Sequence, residues 1–418
     1  MNIWRPFTQE KTVLQAIKVT KGDGLYLYTE DGRKFADMIS SWWVNIHGHA
    51  NKEIAEAVAK QAETLEQVIF TAFCHQPAED LVEKLKTVLP NGLNKFFFSD
   101  NGSTSVEVAL KIAYQFFKNT RQPKRKIYLH LEGAYHGDTF GAMSVSGKNS
   151  MYHFNFSEFF FDTISVKVPE YYEGVENIEE KEEKILKNLE KQLEEIGEQI
   201  CALIVEPLLQ GACGMIVYRP EFLDRLIKIV RKFGILVIFD EVLTGFYRTG
   251  HFFAMDYCDE KPDLVCISKA LTGGFMPLSI TIATEKIYEA FLDDDFSKAF
   301  IHGHSYTGNP IACAAACKSF EILTRSGTIA HIKEIELFHK NNVIEGVKKR
   351  RSLGDMTAFD LPSSEDANKL VANLFEKGIF MRPLTNTVYL LPPYCISIDE
   401  LAHVYEEINK NVFCAKLF

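Results

Sequence analysis

The chain has 418 residues, is 46% hydrophobic and 24% charged, and carries a formal net charge of −10. At ~150 residues per domain this length suits two to three globular units, and the composition excludes a disordered, collagen-like or disulfide-stapled miniature chain. The acidic balance argues against a broad phosphate-backbone footprint, so nucleic acid is not an expected partner.

In chain order, the opening Met1-Asn2-Ile3-Trp4-Arg5-Pro6 lacks the charged start and apolar stretch of a signal peptide. No apolar run approaches the ~20 residues that span a bilayer, and the nine scattered cysteines contain no Cys-x-x-Cys, so a cytoplasmic protein is expected. Ile54, Ala57, Val58, Gln61, Ala62 and Leu65 fall at helical spacing and predict a helix over 53–65. Short apolar runs at 96–98, 127–131, 201–205, 235–239 and 264–267 predict strands. The stripe Val108, Ile112, Ala113 and Phe116 predicts a helix over 104–117. Brief apolar strands alternating with longer helices imply an α/β fold, a mostly parallel sheet with helices on both faces. The Glu/Lys-rich stretch 176–199 reads as a solvated amphipathic helix, and Cys313 with Cys317 as structural thiols on a buried helix face. Beyond about residue 315 helices and short strands punctuated by prolines suggest a smaller α+β unit, giving segments 1–50, 51–315 and 316–418.

Each predicted strand of the sheet ends in polar residues: Ser99-Asp100, His130 with Glu132, Glu206, Asp240-Glu241, and Ser268-Lys269. In open α/β sheets ligands bind outside the carboxyl ends of the strands, so the five endings point to one shared site. A lysine that ends a buried strand must be paired, exposed or used chemically, and burial makes an amine a usable Schiff-base nucleophile. Asp240 follows a fully apolar strand and needs a cationic partner, a metal or a protonated heterocycle. A pyridoxal phosphate enzyme places a carboxylate there to keep the ring nitrogen protonated. A metal would want further ligands; His47-Gly48-His49 and His302-Gly303-His304 offer candidates, but no zinc spacing is present, so no metal site is expected. Asn101-Gly102-Ser103-Thr104 joins a strand to a helix, with Glu107 at capping-box spacing from Thr104, and could cradle a phosphate on free N–H groups. No GxGxxG or GxxxxGK[ST] follows any strand, which removes support for dinucleotide and nucleoside triphosphate sites.

These segments together resemble the class III aminotransferases, fold-type I pyridoxal phosphate enzymes, over roughly residues 3–395. The motifs carrying the resemblance are Asp240-Glu241-Val242 through Arg248-Thr249-Gly250 and Ser268-Lys269-Ala270-Leu271-Thr272-Gly273-Gly274. Further matches are Trp4-Arg5-Pro6-Phe7-Thr8-Gln9, Ser40-Ser41-Trp42-Trp43, Tyr135-His136-Gly137-Asp138, and Arg382-Pro383. Within the family these last resemble the members that aminate 8-amino-7-oxononanoate in biotin synthesis, with S-adenosylmethionine or lysine as donor. The resemblance implies that Lys269 carries the cofactor, Asp240 pairs with its ring nitrogen, Val242 and Tyr135 flank the ring, and Gly102 and Ser103 bind its phosphate. It also implies a homodimer in which His304 and Ser305 reach the partner's phosphate. Phe7, Trp42, Tyr135, Gly303 and Arg382 would contact substrate, with Arg382 on its carboxylate, and Arg248 would help to organise the site.

Two departures from the family pattern stand out. Phe7 occupies a place where many S-adenosylmethionine users carry tyrosine, and His304-Ser305 replaces Pro-Thr while keeping a hydroxyl. Cofactor motifs alone do not separate this activity from an ornithine or 4-aminobutyrate aminotransferase. A noncatalytic scaffold would need neither Lys269 nor Asp240.

Overall fold

The computed structural model describes residues 2–11, 16–147 and 153–414. Its centre is a seven-stranded sheet in the spatial order Leu93–Ser99, Ser279–Thr284, Leu264–Ile267, Leu236–Asp240, Ile200–Val205, Ile127–Leu131, Thr163–Val166. Six of these strands run parallel; Ser279–Thr284 alone is antiparallel to both neighbours. This is the α/β architecture expected from the alternation of short apolar runs with helices. Two strands escape that pattern, Thr163–Val166 and Ser279–Thr284. Ser279-Ile-Thr-Ile-Ala-Thr alternates small polar with apolar residues and looks half-exposed in sequence, yet five of its six residues are buried. Only eleven residues, with no long helix, separate Ser279–Thr284 from Leu264–Ile267, too few for a helical crossover, so the strand returns antiparallel.

The two faces of the sheet bury separate apolar clusters. Gly102–Asn119 covers one face with Val106, Ala109, Leu110 and Ala113. Gln76–Lys86, Pro220–Lys232 and Pro310–Leu323 cover the other through Leu81, Leu85, Phe222, Leu226 and Ala312. Ile178–Ile196, the Glu/Lys-rich helix, buries Leu186, Leu189 and Leu193 and keeps its carboxylates on ion pairs such as Arg219–Glu182 at 2.8 Å and Lys232–Glu190 at 2.6 Å. Eight of the nine cysteines, those from Cys74 to Cys395, are free, and burial pushes the Cys317 thiol up to about 12.

The helix predicted from 104 starts two residues earlier, as Gly102–Asn119. Its cap is Asn101, whose side chain accepts from the Thr104 N–H while Thr104 Oγ1 accepts from the Asn101 N–H, both at 3.1 Å. Glu107 therefore does not close a box on Thr104. It reaches outward and accepts from the N–H groups of Gly141 (2.7 Å) and Ala142 (3.2 Å), capping the short helix Phe140–Ser144.

The chain's two ends meet in a second sheet. Lys34–Asp37 pairs antiparallel with Tyr26–Thr29 and parallel with Ile379–Phe380, which aligns Phe380 with Asp37. Nearby, Lys348–Leu353, Met356–Asp360 and Thr387–Leu390 form an antiparallel sheet. The helices Ser364–Glu376 and Ile398–Cys414 share an apolar cluster with Leu25, Ala36 and Met38. No described helix is long and apolar enough to cross a membrane.

Candidate active site

A cavity of about 450 Å³ opens at the carboxyl edge of the large sheet. Its wall brings together Phe7, Trp42, Gly102, Ser103, Tyr135, Asp240, Val242, Lys269 and Arg382, drawn from both sheets and from the N-terminal segment. The fully buried strand Leu236–Asp240 delivers Asp240 as its last residue. Leu264–Ile267 delivers Lys269 two residues past its end, in a left-handed conformation (φ 43°) that turns the chain sharply toward the cavity. Burial lowers the Lys269 amine from its ordinary range, opposed by the carboxylates of Asp240 and Glu206.

Two residues not singled out individually in sequence complete this charge arrangement. His136 is fully buried and its Nδ1 meets Asp240 Oδ2 at 2.7 Å, while Nε2 has no hydrogen-bond partner among the described residues. The other oxygen of Asp240 accepts from the Val242 N–H at 3.1 Å. Glu206 accepts from the N–H groups of Tyr135 (3.0 Å) and Gly211 (3.1 Å), tying together the loops that follow two neighbouring strands. Burial pushes its carboxyl up to about 7, with His136 opposing and Asp240 reinforcing the rise. Both residues carried a weak signal: Glu206 is one of the strand endings and His136 adjoins Tyr135. Their pairing depends on strand order.

The floor between Asp240 and the helix Gly102–Asn119 is shaped for close approach. A Cβ at Gly102 would lie 2.8 Å from Val242 Cγ1, and one at Gly137 would fall 2.1 Å from Ser103 Oγ. Ser103 Oγ accepts from the Asp138 N–H at 3.1 Å, and Tyr135 donates its hydroxyl to Asp138 Oδ2 at 2.7 Å. The Tyr135 ring stacks on His153, with centroids 5.5 Å apart and planes at 19°. A helix N-terminus with two small residues is a ready anion site. An acidic strand end, a buried amine and an anion cradle on one wall suit a flat, phosphorylated, basic heterocycle, which is the chemistry of pyridoxal phosphate.

The opposite wall is aromatic. The Arg382 guanidinium lies 4.9 Å from the Trp42 ring centre, and Phe7 tilts against the same indole at 5.5 Å. Trp43 donates its Nε1–H to the Tyr389 hydroxyl at 3.0 Å. Phe380, Leu384 and Tyr389 also line the cavity and were not expected, since nothing local marks them.

Four expected residues lie outside this wall. Arg248 is completely buried behind it, ion-paired with Asp355, donating to the Pro392 carbonyl at 2.8 Å and reaching the Trp43 carbonyl at 3.5 Å. Two of its three guanidinium nitrogens are held by these partners, so it braces the wall from behind and does not line the cavity. Gly303, His304 and Ser305 sit in the exposed loop 299–309, where His304 accepts from the Tyr306 N–H and Ser305 receives a bond from Gln67 on its carbonyl. Within one chain this loop does not enter the cavity. Among the described residues no cluster of His, Cys, Asp or Glu is arranged to hold a metal ion.

The family model described as aminotransferase class-III matches residues 7–412. The chain is 46% identical to the adenosylmethionine-8-amino-7-oxononanoate aminotransferase of Synechococcus elongatus, over 97% of each chain. It superposes with a TM-score of 0.89 on the crystal structure of the enzyme of that name from Methanocaldococcus jannaschii, at 33% identity, covering 98% of this chain and 96% of the other. A PLP-bound amine transaminase from an uncultivated Pseudomonas species superposes with a TM-score of 0.90 at 28% identity, covering 99% of both chains.

Proposed function

The chain belongs to the class III aminotransferases, and from that premise we propose that it is a pyridoxal phosphate-dependent enzyme aminating 8-amino-7-oxononanoate to 7,8-diaminononanoate in biotin biosynthesis. The observation that carries this reading is the joining, on one cavity, of the Lys269–Asp240–Gly102 wall with the aromatic wall that presents Arg382 over Trp42.

Pyridoxal phosphate supplies a ring that draws electrons from the substrate carbon bonded to nitrogen. Asp240 holds the ring nitrogen's proton, and His136 fixes the carboxylate's direction through Nδ1. Val242 and Tyr135, which line the same cavity, would flank the ring. Gly102 and Ser103 present N–H groups to the phosphate at the start of their helix. Lys269 would carry the cofactor, and its Nζ would take up and release the proton that moves at the substrate carbon. Burial favours its neutral form, which that transfer requires. Arg382 binds the keto acid carboxylate as a planar fork, with Trp42 beneath it and Phe7 closing the end. Arg248 supports the Trp43 backbone from behind.

In this reading residues 51–315 hold the cofactor, while residues 1–50 and 316–418 hold the substrate end. The catalytic unit is a cytoplasmic homodimer in which Gly303, His304 and Ser305 of each copy complete the other copy's site. Supporting this are the large exposed apolar side chains on that loop, Ile301 and Tyr306. The amino donor is S-adenosylmethionine, with lysine as the alternative because Phe7 brings no hydroxyl to the cavity.

A half-reaction tests the proposal. Single donors are added to the holoenzyme and the cofactor absorbance is followed. Bleaching by S-adenosylmethionine and recovery with 8-amino-7-oxononanoate are expected. Bleaching by lysine alone with the same recovery would change the donor and keep the reaction. Failure of the keto acid to restore absorbance after either donor would leave an aminotransferase for another substrate, such as an ω-amino acid.

A further inference from the structure

The tandem tryptophans stand on an irregular stretch of backbone. Ser40, Ser41 and Trp43 all have positive φ (49°, 62° and 67°), a region that L side chains rarely occupy. Strain of this kind persists only where the surroundings over-determine it. Here Ile39, Ser41, Trp42 and Trp43 line the cavity, so the strain lies in the wall itself.

What over-determines it is one buried carboxylate. Asp37 ends the strand Lys34–Asp37, pinned between Tyr26–Thr29 and Ile379–Phe380, and its side chain is fully buried. Oδ1 accepts from the Ile39 N–H at 3.2 Å. Oδ2 accepts from the Ser41 N–H at 2.6 Å, the Ser41 hydroxyl at 3.1 Å and His49 Nε2 at 3.0 Å. His49 Nδ1 in turn meets the Asn45 amide at 2.8 Å. The clamp therefore begins before the turn, grips its middle, and is held from beyond its end. Asp37 does not line the cavity.

We propose that Asp37, oriented by His49, is a positioning residue that holds the Ile39–Trp43 turn in its irregular conformation, with positive φ at Ser40, Ser41 and Trp43, and so presents Trp42 beneath Arg382. This assigns a role to His49 in the His47-Gly48-His49 motif without a metal. Its effect falls on the substrate wall: cofactor contacts through Asp240, Gly102 and Ser103 come from other elements. Asp37→Asn would replace one acceptor by a donor facing the Ser41 N–H or His49, removing charge-assisted bonds without changing size.

The test uses holoenzyme in a Trp4→Phe background. Trp4 is 90% exposed, and with it gone the remaining two of the chain's three tryptophans report on the wall. Asp37→Asn is expected to make Trp42 and Trp43 more accessible to acrylamide quenching. The KM for the keto acid should rise ~10-fold, equivalent to about 1.4 kcal/mol, with kcat and cofactor affinity changed far less. His49→Gln keeps a donor toward Asp37 and should recover most of the KM lost in His49→Ala. Unchanged quenching in a folded Asp37→Asn enzyme would overturn the proposal, as would parallel losses in KM, kcat and cofactor binding. If Asp37→Asn does not yield folded holoenzyme, His49→Ala carries the same readouts. The kinetic arm rests on the substrate assigned above. Absence of turnover with that keto acid in the unsubstituted enzyme would sink the assignment while quenching still decides the role of Asp37.

Discussion

Lys269 Nζ lies 5.1 Å from the centre of the Trp43 ring, and the Trp43 indole is itself fixed to Tyr389 on the strand Thr387–Leu390. The amine that ends one sheet thus rests against an aromatic held by another. An aromatic face favours the charged amine while burial favours the neutral one. The cavity places Lys269 between these opposing influences, as suits a group that both accepts and releases a proton.

Lys269→Ala should lower turnover by at least ~10²–10⁴-fold, the usual share of a positioned general acid–base. The variant should still bind pyridoxal phosphate, now removable by dialysis. Steady-state rates and the absorbance of the dialysed protein check this, and near-normal turnover would remove Lys269 from the mechanism.

His136→Phe keeps a ring in place but strips Asp240 of its 2.7 Å partner. Hydrogen bonds to charged groups contribute ~1.5–3 kcal/mol, so a fall of ~10–100-fold in kcat/KM is expected. Equal loss of activity and thermal stability, with unchanged rates per folded molecule, would show that the pair is only structural.

Gly102→Ala would press a methyl within 2.8 Å of Val242 Cγ1 at the phosphate cradle. Overpacking typically costs ~1–3 kcal/mol, and here the helix start and the ring-packing Val242 must give way together. Cofactor affinity should drop ~10-fold or more in a spectrophotometric titration. Unaltered affinity would place the phosphate elsewhere.

Arg382→Lys retains charge but loses the planar fork and much of the stacking on Trp42. The KM for the keto acid should rise ~10–100-fold with a smaller change in kcat, which initial-rate kinetics would reveal. A change confined to the donor half-reaction would contradict the carboxylate role.

Acid should destabilise the fold through a buried neutral histidine. Burial lowers His47 from 6.5 to about 4, where it meets Ser319 Oγ at 3.0 Å, one bond from the Ala270 carbonyl. Between these values the unfolded chain binds the proton and the native chain does not. The resulting stability is present above 6.5 and lost as pH falls toward about 4, on the order of 3 kcal/mol. His47→Gln, which removes this titration, should shrink the fall in urea midpoint between neutral and acidic buffer. An identical fall in both proteins would contradict it.

How much of this was legible depended on how local the signal is. Lys269, Asp240 and the Gly102-Ser103 turn could be read because each ends an apolar strand or opens a helix, and periodicity with terminal polarity is written in neighbouring residues. The cap slid from Thr104 to Asn101 because hydroxyl and amide caps satisfy the same spacing, and packing chose between them. The strand Ser279–Thr284 was hidden because its Ser and Thr side chains imitate an exposed face. Arg248 lies in a motif that carries the family resemblance, yet its partner Asp355 stands 107 positions away and draws it behind the wall.

By itself, then, the sequence determined the α/β class, the strand endings and the chemistry available at them. Those follow from dihedral preferences and from which side chains water rejects, properties that act over a few residues. Only the tertiary structure decided which endings meet: His136 with Asp240, Glu206 with Tyr135, Asp37 with the tryptophan turn, Arg382 over Trp42. These pairings join separate elements, most of them far apart along the chain, and they exist because the order of strands and the pairing of the chain's two ends bring those elements to one edge.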